Sequence, residues 1–319
     1  MNTALRPDEQ RLWQIFHPYA AAKEAEIRPN DRFVYYTSAD VATQIIRKRE
    51  IWMRKSSCMN DFSEVRHGWE CLAAAWNAGG GSKLRGLLDS HFPGVFAEIE
   101  KDFNRADRSL VFNTYLTCVS EHRDTENELG RLSMWRAYGG NAGVALVMNN
   151  SAFLDPNYYL KAYASPVAYC DTTKFAEQFG NVLDNIETEI DFLKEKGPDL
   201  VKAYLFRMLA FAAACTKHPG FAEEVEWRVI HWPWWEKSDH LVRGIEVING
   251  VAQPVYKIPL TNVPGKLVGL EIPELLDHII IGPTRNPQPS WEAFKDLLAE
   301  AGVAEPHKRV SLSNIPLRQ

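Results

Sequence analysis

The stretch FAEEVEWRVIHWPWW, residues 221–235, contains the side chains whose types and spacing are best suited to chemistry. If this stretch is an extended strand, Glu224, Glu226 and Arg228 share one face, with about 6–7 Å between successive members. Inside a cleft, carboxylates at that spacing shift each other's pKa, and the arginine keeps one of them ionised. Such a row suits stabilisation of a developing cation, but it is also typical of a salt-bridged, solvent-facing strand. The opposite face is apolar and consists of Val225, Trp227 and Val229.

Other common catalytic motifs are missing from the sequence. None of the nine histidines falls in an H-x-x-x-H or H-E-x-x-H pattern, and no C-x-x-C pair supplies thiolate ligands. The sequence also lacks a G-x-x-x-x-G-K-[ST] phosphate loop and the G-x-S-x-G elbow of serine hydrolases. Cys215 lies near His218, but packing explains this pair better than thiol chemistry does. We therefore predict no metal site.

Charge and cysteine content restrict the class of protein. A net charge of −5 gives no electrostatic reason for tight non-specific binding to nucleic acid. The five cysteines are odd in number, which is typical of free thiols in a reducing compartment. No apolar run approaches the ~18 residues of a membrane span, and the N-terminus lacks the apolar core of a signal peptide. We expect a cytoplasmic microbial protein that does not engage a membrane.

The elements that must position these side chains alternate irregularly between strands and helices. RFVYYTS (32–38) reads as a strand, and Ser38 as the N-cap of the helix that follows. We predict an α+β fold of mixed, largely antiparallel sheets. We expect a helical lead-in over residues 1–31 and one α+β domain over 32–317, with helical insertions at about 64–108 and 173–217, the second made of two helices joined near Gly197-Pro198. Further strands are predicted at 110–121, 142–149, 276–283 and 308–317, with a hairpin turning at Asn249-Gly250.

Five blocks along the chain resemble a widespread family of uncharacterised bacterial proteins that is defined only as a domain of unknown function. The resemblance covers about residues 33–317. Its blocks include Ile51-Trp52, Glu64, Gly143, TKHPGFAEEVEWRVI, HIIIGPTRNP and KRVSLSNIPL, together with the aromatic and Asn-Asp motifs discussed next.

The opening block is also similar to the first half of ADP-ribosyltransferases, above all the DNA-modifying toxins of toxin–antitoxin pairs. This resemblance implies a split pair of small sheets that clasp NAD as a substrate. It places Glu226 as the carboxylate that stabilises an oxocarbenium-like transition state, because a fixed anion acts on charge as it develops. Glu224 would position the acceptor, while Arg54 and Arg228 would contact phosphate or orient carboxylates.

The same resemblance suggests which residues contact NAD. Tyr35 stands where the toxins carry a histidine that grips a ribose, and Tyr36 or Tyr138 would stack on nicotinamide. Asn60-Asp61 reads as a ribose or base contact or as a helix-capping turn, and Trp135 with Tyr138 as a stacking platform or as core. The full set of expected NAD contacts is Tyr35, Tyr36, Thr37, Ser38, Arg54, Asn60, Asp61, Trp135 and Tyr138.

Two other functions stay open at this point. A nuclease would hold Mg²⁺ with Asp61, Glu224 and Glu226, although Arg228 stands where such sites often carry a lysine. A non-catalytic sensor would bind a partner through the tryptophans of HWPWW (231–235), unless these pack on the apolar face of the strand. For the enzyme, the acceptor, whether nucleic acid or protein, is not readable from the sequence. A toxin or antiphage effector would also have an antitoxin or another defence-system partner.

Overall fold

The computed structural model describes residues 6–58, 62–140, 142–154, 159–248 and 250–316, with the backbone alone for 62–65, 107, 108 and 111. Its strands are β1 (Arg32–Ser38), β2 (Glu50–Lys55), β3 (Tyr115–His122), β4 (Gly143–Asn149), β5 (Tyr163–Pro166), β6 (Ala168–Tyr169), β7 (Thr216–Lys217), β8 (Glu226–His231), β9 (Val242–Ile248), β10 (Val251–Pro259), β11 (Leu276–Ile281) and β12 (Val310–Leu312).

Helices make up most of the rest of the described chain. They are α1 (Pro7–Phe16), α2 (Pro18–Glu26), α3 (Ala39–Lys48), α4 (Phe62–Ala75), α5 (Gly81–His91), α6 (Val95–Phe112), α7 (Leu132–Tyr138), α8 (Thr172–Thr188), α9 (Ile190–Lys196), α10 (Pro198–Ala214), α11 (Ile272–Leu275) and α12 (Pro287–Glu300).

The unit β1–α3–β2 is set by local sequence. Ser38 ends the strand and caps the helix, because its hydroxyl accepts a hydrogen bond from the Val41 backbone N–H at 3.3 Å. Ile45 and Ile46 are buried on one side of α3. Arg49 then takes a left-handed conformation, with φ of 52°, which ends the helix and starts β2 at the next residue.

Ten strands form the main sheet, and its pairing confirms the predicted α+β class. The order is β12-β11-β4-β1-β3-β2-β10-β9, and β8 joins β3 to β5. Among the described strands of this sheet, β11 and β12 pair in parallel and the other pairs are antiparallel. A second sheet consists of the parallel strands β6 and β7.

The main sheet has a gap beside β3. One edge of β3 pairs with β8 over residues 115–120, whereas its other edge is shared by β1 and β2. β1 pairs with residues 120–122, and β2 with residues 115 and 116. In the described pairing, residues 117–119 face neither strand on that edge. β1 and β2 therefore diverge here, and the sheet opens between them.

Two large apolar cores lie on either side of this architecture. One is helical and unites α1, α4, α5, α6, α8, α9 and α10, so the predicted N-terminal lead-in contributes Leu12, Ile15 and Phe16 to it. The other packs α3, α11 and α12 against the sheet and contains Trp227. The second core supports the strands, and its members Ile45 and Val119 also line the cleft described below.

Several predicted boundaries differ from the structure. The strand predicted over 221–235 is confined to Glu226–His231, because residues 219–224 form a 3₁₀ helix and Val225 has a left-handed backbone with φ of 44°. Residues 110–112 end α6 instead of starting β3. The segment 173–217 contains three helices, not two, although the predicted break at Gly197-Pro198 is present.

The hairpin is formed by β9 and β10, with Ile248 opposite Val251. Asn249 lies outside the described residues, and Gly250 has a positive φ of 78°, as a tight turn requires. In the described part of the chain, no helix has the length and apolarity to cross a membrane.

Candidate active-site cleft

A cleft of about 480 Å³ opens where β1 and β2 diverge. This volume falls within the roughly 300–1,000 Å³ of small-molecule sites. The cleft brings together residues that the sequence places far apart. Of the residues predicted for the site, those in its wall are Tyr35, Tyr36, Thr37, Ser38, Arg54, Tyr138, Glu224, Glu226 and Arg228.

The floor of the cleft contains a buried ion-pair cluster of Lys217, Glu224, Glu226 and Arg228. Lys217 Nζ lies 2.5 Å from Glu224 Oε2 and 3.1 Å from Glu226 Oε2. Arg228 Nε donates to Glu226 Oε1 at 2.7 Å. The Lys217 side chain is fully buried, and that of Glu224 is 13% exposed. Among the described residues, the cluster contains two cations and two anions.

Glu226 is held as a carboxylate. Burial alone would raise its pKa, but the charges of Arg228 and Lys217 and the Arg228 hydrogen bond outweigh this and lower the pKa to about 2. The Cys118 thiol also donates to Glu226, and burial together with the Glu226 charge raises the pKa of this thiol well above its usual value. Glu226 is therefore a fixed anion at neutral pH and Cys118 a neutral donor beside it.

Lys217 is the residue that sequence reasoning missed. It lies in β7, directly after α10, and reaches the cluster from the small sheet. The end of α10 also accepts a hydrogen bond from Arg228 Nη1 through the Ala214 carbonyl, at 2.5 Å. The lysine of TKHPGFAEEVEWRVI was visible in the sequence, but its distance from Glu226 along the chain gave no indication of contact.

The prediction that Glu224 shares a strand face with Glu226 is wrong. Glu224 is the last residue of the 3₁₀ helix, and the left-handed Val225 separates it from β8. Lys217 nevertheless bridges the two carboxylates, so both line the cleft. The juxtaposition results from a turn and a lysine, not from strand alternation.

Arg131 fixes two walls of the cleft relative to each other. Its backbone N–H donates to the Tyr36 hydroxyl at 2.8 Å, and its guanidinium donates to the backbone carbonyls of Glu121, Glu223 and Glu224 at 2.9–3.0 Å. Tyr36 also packs edge-to-face on Trp135, with 4.8 Å between ring centroids. Tyr36 is thus a rigid wall residue.

Polar and aromatic groups line the upper cleft. Arg54 donates to the Cys58 carbonyl at 2.6 Å and to Gln253 Oε1 at 3.3 Å, so its guanidinium is already oriented. Tyr138 is 37% exposed and Trp52 is part of the wall. Tyr35 is partly buried and shares a hydrogen bond with Thr117.

Trp135 is the one predicted NAD contact among the described residues that does not line the cleft. Trp135 is 5% exposed and packs in the core beneath Tyr36, outside the described cleft wall, with Nε1 donating to the Leu129 carbonyl. This agrees with its interpretation as core and not with a stacking role. Asn60 and Asp61 lie outside the described residues, and only the backbone of Glu64 is described.

The tryptophans of HWPWW (231–235) mostly pack against other residues of the protein. Trp232 is 1% exposed and donates to the Thr114 hydroxyl at 2.9 Å, which agrees with packing and not with a binding patch. Trp235 is 38% exposed and stacks at an angle on Trp232. In the described residues, no group of three or more His, Cys, Asp or Glu side chains is arranged to hold a metal ion.

Comparison with known proteins defines the class of this α+β chain only in part. Residues 134–229 match the model of a family described as "Protein of unknown function (DUF2971)". The match confirms the prediction of a family of unknown function, and it spans Tyr138, Lys217, Glu224, Glu226 and Arg228. No curated protein and no solved structure matches the chain.

Proposed function

We propose that the cleft binds NAD and that the protein is an ADP-ribosyltransferase-like enzyme. One observation carries the proposal: residues 35–38 and Arg54 of the opening block line a single cleft with the carboxylates of the later Glu-x-Glu block, at a split in the sheet. The ion-pair cluster in its floor supplies an ionised carboxylate at neutral pH. The wider context, a toxin or an antiphage effector, remains part of the proposal.

The cleft residues suit a dinucleotide. Hydroxyls of Thr37 and Ser38 can hydrogen-bond ribose, and the oriented guanidinium of Arg54 suits a phosphate oxygen. The half-exposed ring of Tyr138 offers a face on which nicotinamide can stack. Each of these groups lies in the cleft wall.

Glu226 would act through electrostatics. When the bond from nicotinamide to ribose breaks, nicotinamide leaves with the electron pair and positive charge develops on the ribose. A carboxylate accepts about four hydrogen bonds, so Glu226 can accept from a ribose hydroxyl beside its donors Arg228, Lys217 and Cys118. Its fixed charge then favours the transition state over the ground state. Glu224, the more exposed carboxylate, would orient the acceptor hydroxyl or amine.

The test is release of nicotinamide from NAD by the purified chain, with cell extract as the source of acceptor. We expect Glu226→Gln to reduce turnover by at least about 10²-fold, as loss of a transition-state contact does. Glu223→Gln is the matched control, because Glu223 is exposed in the same turn and its side chain lies outside the cluster.

Glu226→Gln leaves two buried cations short of an anion, so folding must be checked by circular dichroism. Tyr138→Ala provides a second variant that does not disturb the cluster, and it should weaken NAD binding. If the wild-type chain neither binds NAD saturably nor releases nicotinamide, the proposal fails. The labelled product of a positive reaction identifies the acceptor.

The nuclease alternative gains one observation, because Lys217 supplies the lysine that the strand itself lacks. The same contact weighs against a metal, since Lys217 and Arg228 already occupy both oxygens of Glu226. Magnesium-dependent cleavage of nucleic acid without NAD, lost in Glu224→Gln, would favour the nuclease.

A further inference from the structure

A second cavity lies on the opposite face of the main sheet. We call it the rear cavity; its volume is about 480 Å³, equal to that of the cleft. The apolar face of β8, with Trp227 and Val229, forms one wall, and the helices α1 and α2 cover it. Leu160, Leu270 and Ile258 extend the apolar lining. Nothing in the proposed reaction uses this space.

The rear cavity and the cleft meet at the gap in the sheet. Tyr35, Thr117 and Val119 line both spaces. These residues lie where β3 has no strand opposite it in the described pairing. The hydrogen bond between Tyr35 and Thr117 closes the gap, so a partition of side chains separates the two spaces.

One end of the rear cavity is polar and asymmetric. Among the described lining residues, Glu24 is the single acidic side chain, and it accepts a hydrogen bond from Trp13 Nε1 at 2.8 Å. Arg207 lies at the same end, with its guanidinium over the Tyr163 ring at 4.3 Å. The Tyr163 hydroxyl in turn donates to Glu236.

A carboxyl group at the end of an apolar cavity favours a ligand group that can donate hydrogen bonds to it. Carboxylate oxygens together accept about four hydrogen bonds, and Trp13 supplies one. Burial raises the pKa of Glu24 to about 7, although the Trp13 hydrogen bond and the Arg207 charge act in the opposite direction. The ionised form therefore lacks sufficient compensation, which a cationic ligand group would provide. An anionic ligand group would meet repulsion from the same carboxylate and attraction from Arg207, so comparison of an amine with a carboxylate decides which charge governs the cavity.

We propose that the rear cavity binds a small amphiphilic amine, with its alkyl or aryl body among the apolar residues and its ammonium group on Glu24. The apolar body accounts for the lining, and the single ammonium group for the acidic end. This inference does not rest on NAD chemistry, because the two spaces lie on opposite faces of the sheet.

The experiment compares three ligands that share one chain: n-octylamine, 1-octanol and octanoate. Binding to the full chain is measured by calorimetry and by saturation-transfer NMR. We expect saturable binding of one n-octylamine, at least about tenfold tighter than octanoate, because its ammonium group supplies the compensation that Glu24 lacks, whereas the Arg207 guanidinium already lies over the Tyr163 ring. Glu24→Gln should remove this preference, whereas Glu26→Gln, exposed on the same helix, should retain it.

A large side chain placed in the rear cavity tests the proposal independently of ligand charge. Ala21 lines the rear cavity, whereas its exposed neighbour Ala22 does not. Ala21→Trp should abolish n-octylamine binding and Ala22→Trp should leave it unchanged, with both variants retaining their helical circular dichroism. The proposal is overturned if octanoate or octanol binds as tightly as the amine, if no ligand binds saturably, or if binding survives in Ala21→Trp.

Discussion

At the scale of single residues, Lys217 decides the character of the cleft. It is fully buried and bridges Glu224 and Glu226, and its Nζ lies 4.8 Å from the centroid of the Phe221 ring, within cation–π distance. A buried lysine persists as a cation only with such partners. Its charge is one of the two that lower the pKa of Glu226 and keep this carboxylate ionised.

We therefore predict that Lys217→Met lowers the free energy of unfolding by about 3 kcal/mol, as removal of one member of a buried ion pair does. Urea unfolding at pH 7 measures the change. Lys237→Met is the control, because Lys237 is exposed and changes there are expected within about 0.5 kcal/mol. Equal stability of the two variants would mean that Lys217 contributes no net stabilisation.

The contribution of Glu24 to folding stability should change with pH in the direction opposite to that of a salt-bridged acid. Burial raises its pKa from 4.5 to about 7, so the folded state binds its proton more tightly than the unfolded state. Its contribution to stability is full below pH 4.5 and is lost as the pH rises through 7. Gln resembles the protonated acid at every pH.

We expect Glu24→Gln and wild type to unfold alike at pH 4.5, whereas at pH 8 the variant is the more stable by roughly 2–3 kcal/mol. Urea titrations at both pH values measure this. Glu26→Gln should follow wild type throughout, since Glu26 is exposed. A Glu24→Gln variant no more stable than wild type at pH 8 would contradict the assigned burial.

At the scale of elements, the cleft depends on how α7 is joined to β1 and to the 3₁₀ helix before β8. Arg131, the residue before α7, makes this connection through backbone carbonyls on two segments and the Tyr36 hydroxyl. Its guanidinium also forms an ion pair with Glu126, at 2.9 Å. Because one side chain connects several segments, their relative position is fixed without further contacts.

Arg131→Met should reduce the free energy of unfolding by about 2–3 kcal/mol, because three backbone carbonyls and the Glu126 carboxylate lose a charged donor. It should also weaken ligand binding in the cleft, since the 223–224 turn is released. Arg136→Met, exposed on α7, is the matched variant and should behave as wild type. Chemical denaturation and NAD titration measure the two effects separately.

At the scale of the whole molecule, the sheet ends in an unusually apolar edge. β9 is the terminal strand of the described order, and Val242, Ile245 and Val247 are 55%, 76% and 69% exposed. An edge strand with exposed apolar side chains and unpaired backbone groups is a template for strand pairing between molecules.

We predict concentration-dependent self-association through β9, which Ile245→Lys should suppress without a change in melting temperature. Sedimentation velocity across a concentration series measures it. Val268→Lys serves as the comparison, because Val268 is 57% exposed but lies outside the strands. Identical sedimentation of the two variants and wild type would exclude an edge-mediated contact.

The parts of this molecule that the sequence predicted are those governed by local rules. The β1–α3–β2 unit follows from β-branched and aromatic residues, a serine cap and a helical apolar face, all within 24 residues. The hairpin and the Gly197-Pro198 break are likewise local. Glu226 and Arg228 alternate with Trp227 as predicted, because that part of the stretch is a strand.

The features that the sequence did not predict depend on contacts between segments that are distant along the chain. Strand alternation was extended to Glu224 because nothing local signals the left-handed Val225, a conformation that β-branched residues rarely adopt. Trp135 and Tyr138 have the same spacing whether they stack on a ligand or pack, and only tertiary structure separates the buried one from the exposed one. Lys217 reaches Glu226 through a fold that no pattern of adjacent residues encodes.

The gap beside β3 also has a mechanical consequence. β3 is held on one edge by β1 near its end and by β2 near its start, so we expect the sheet to deform most easily at the three residues between. Deformation at this place costs little backbone pairing on that edge, because the described pairing there is already interrupted. Amide protons of β1 and β2 that face the gap should then exchange with solvent faster than those of β4, and a molecule seated between the halves should slow them together.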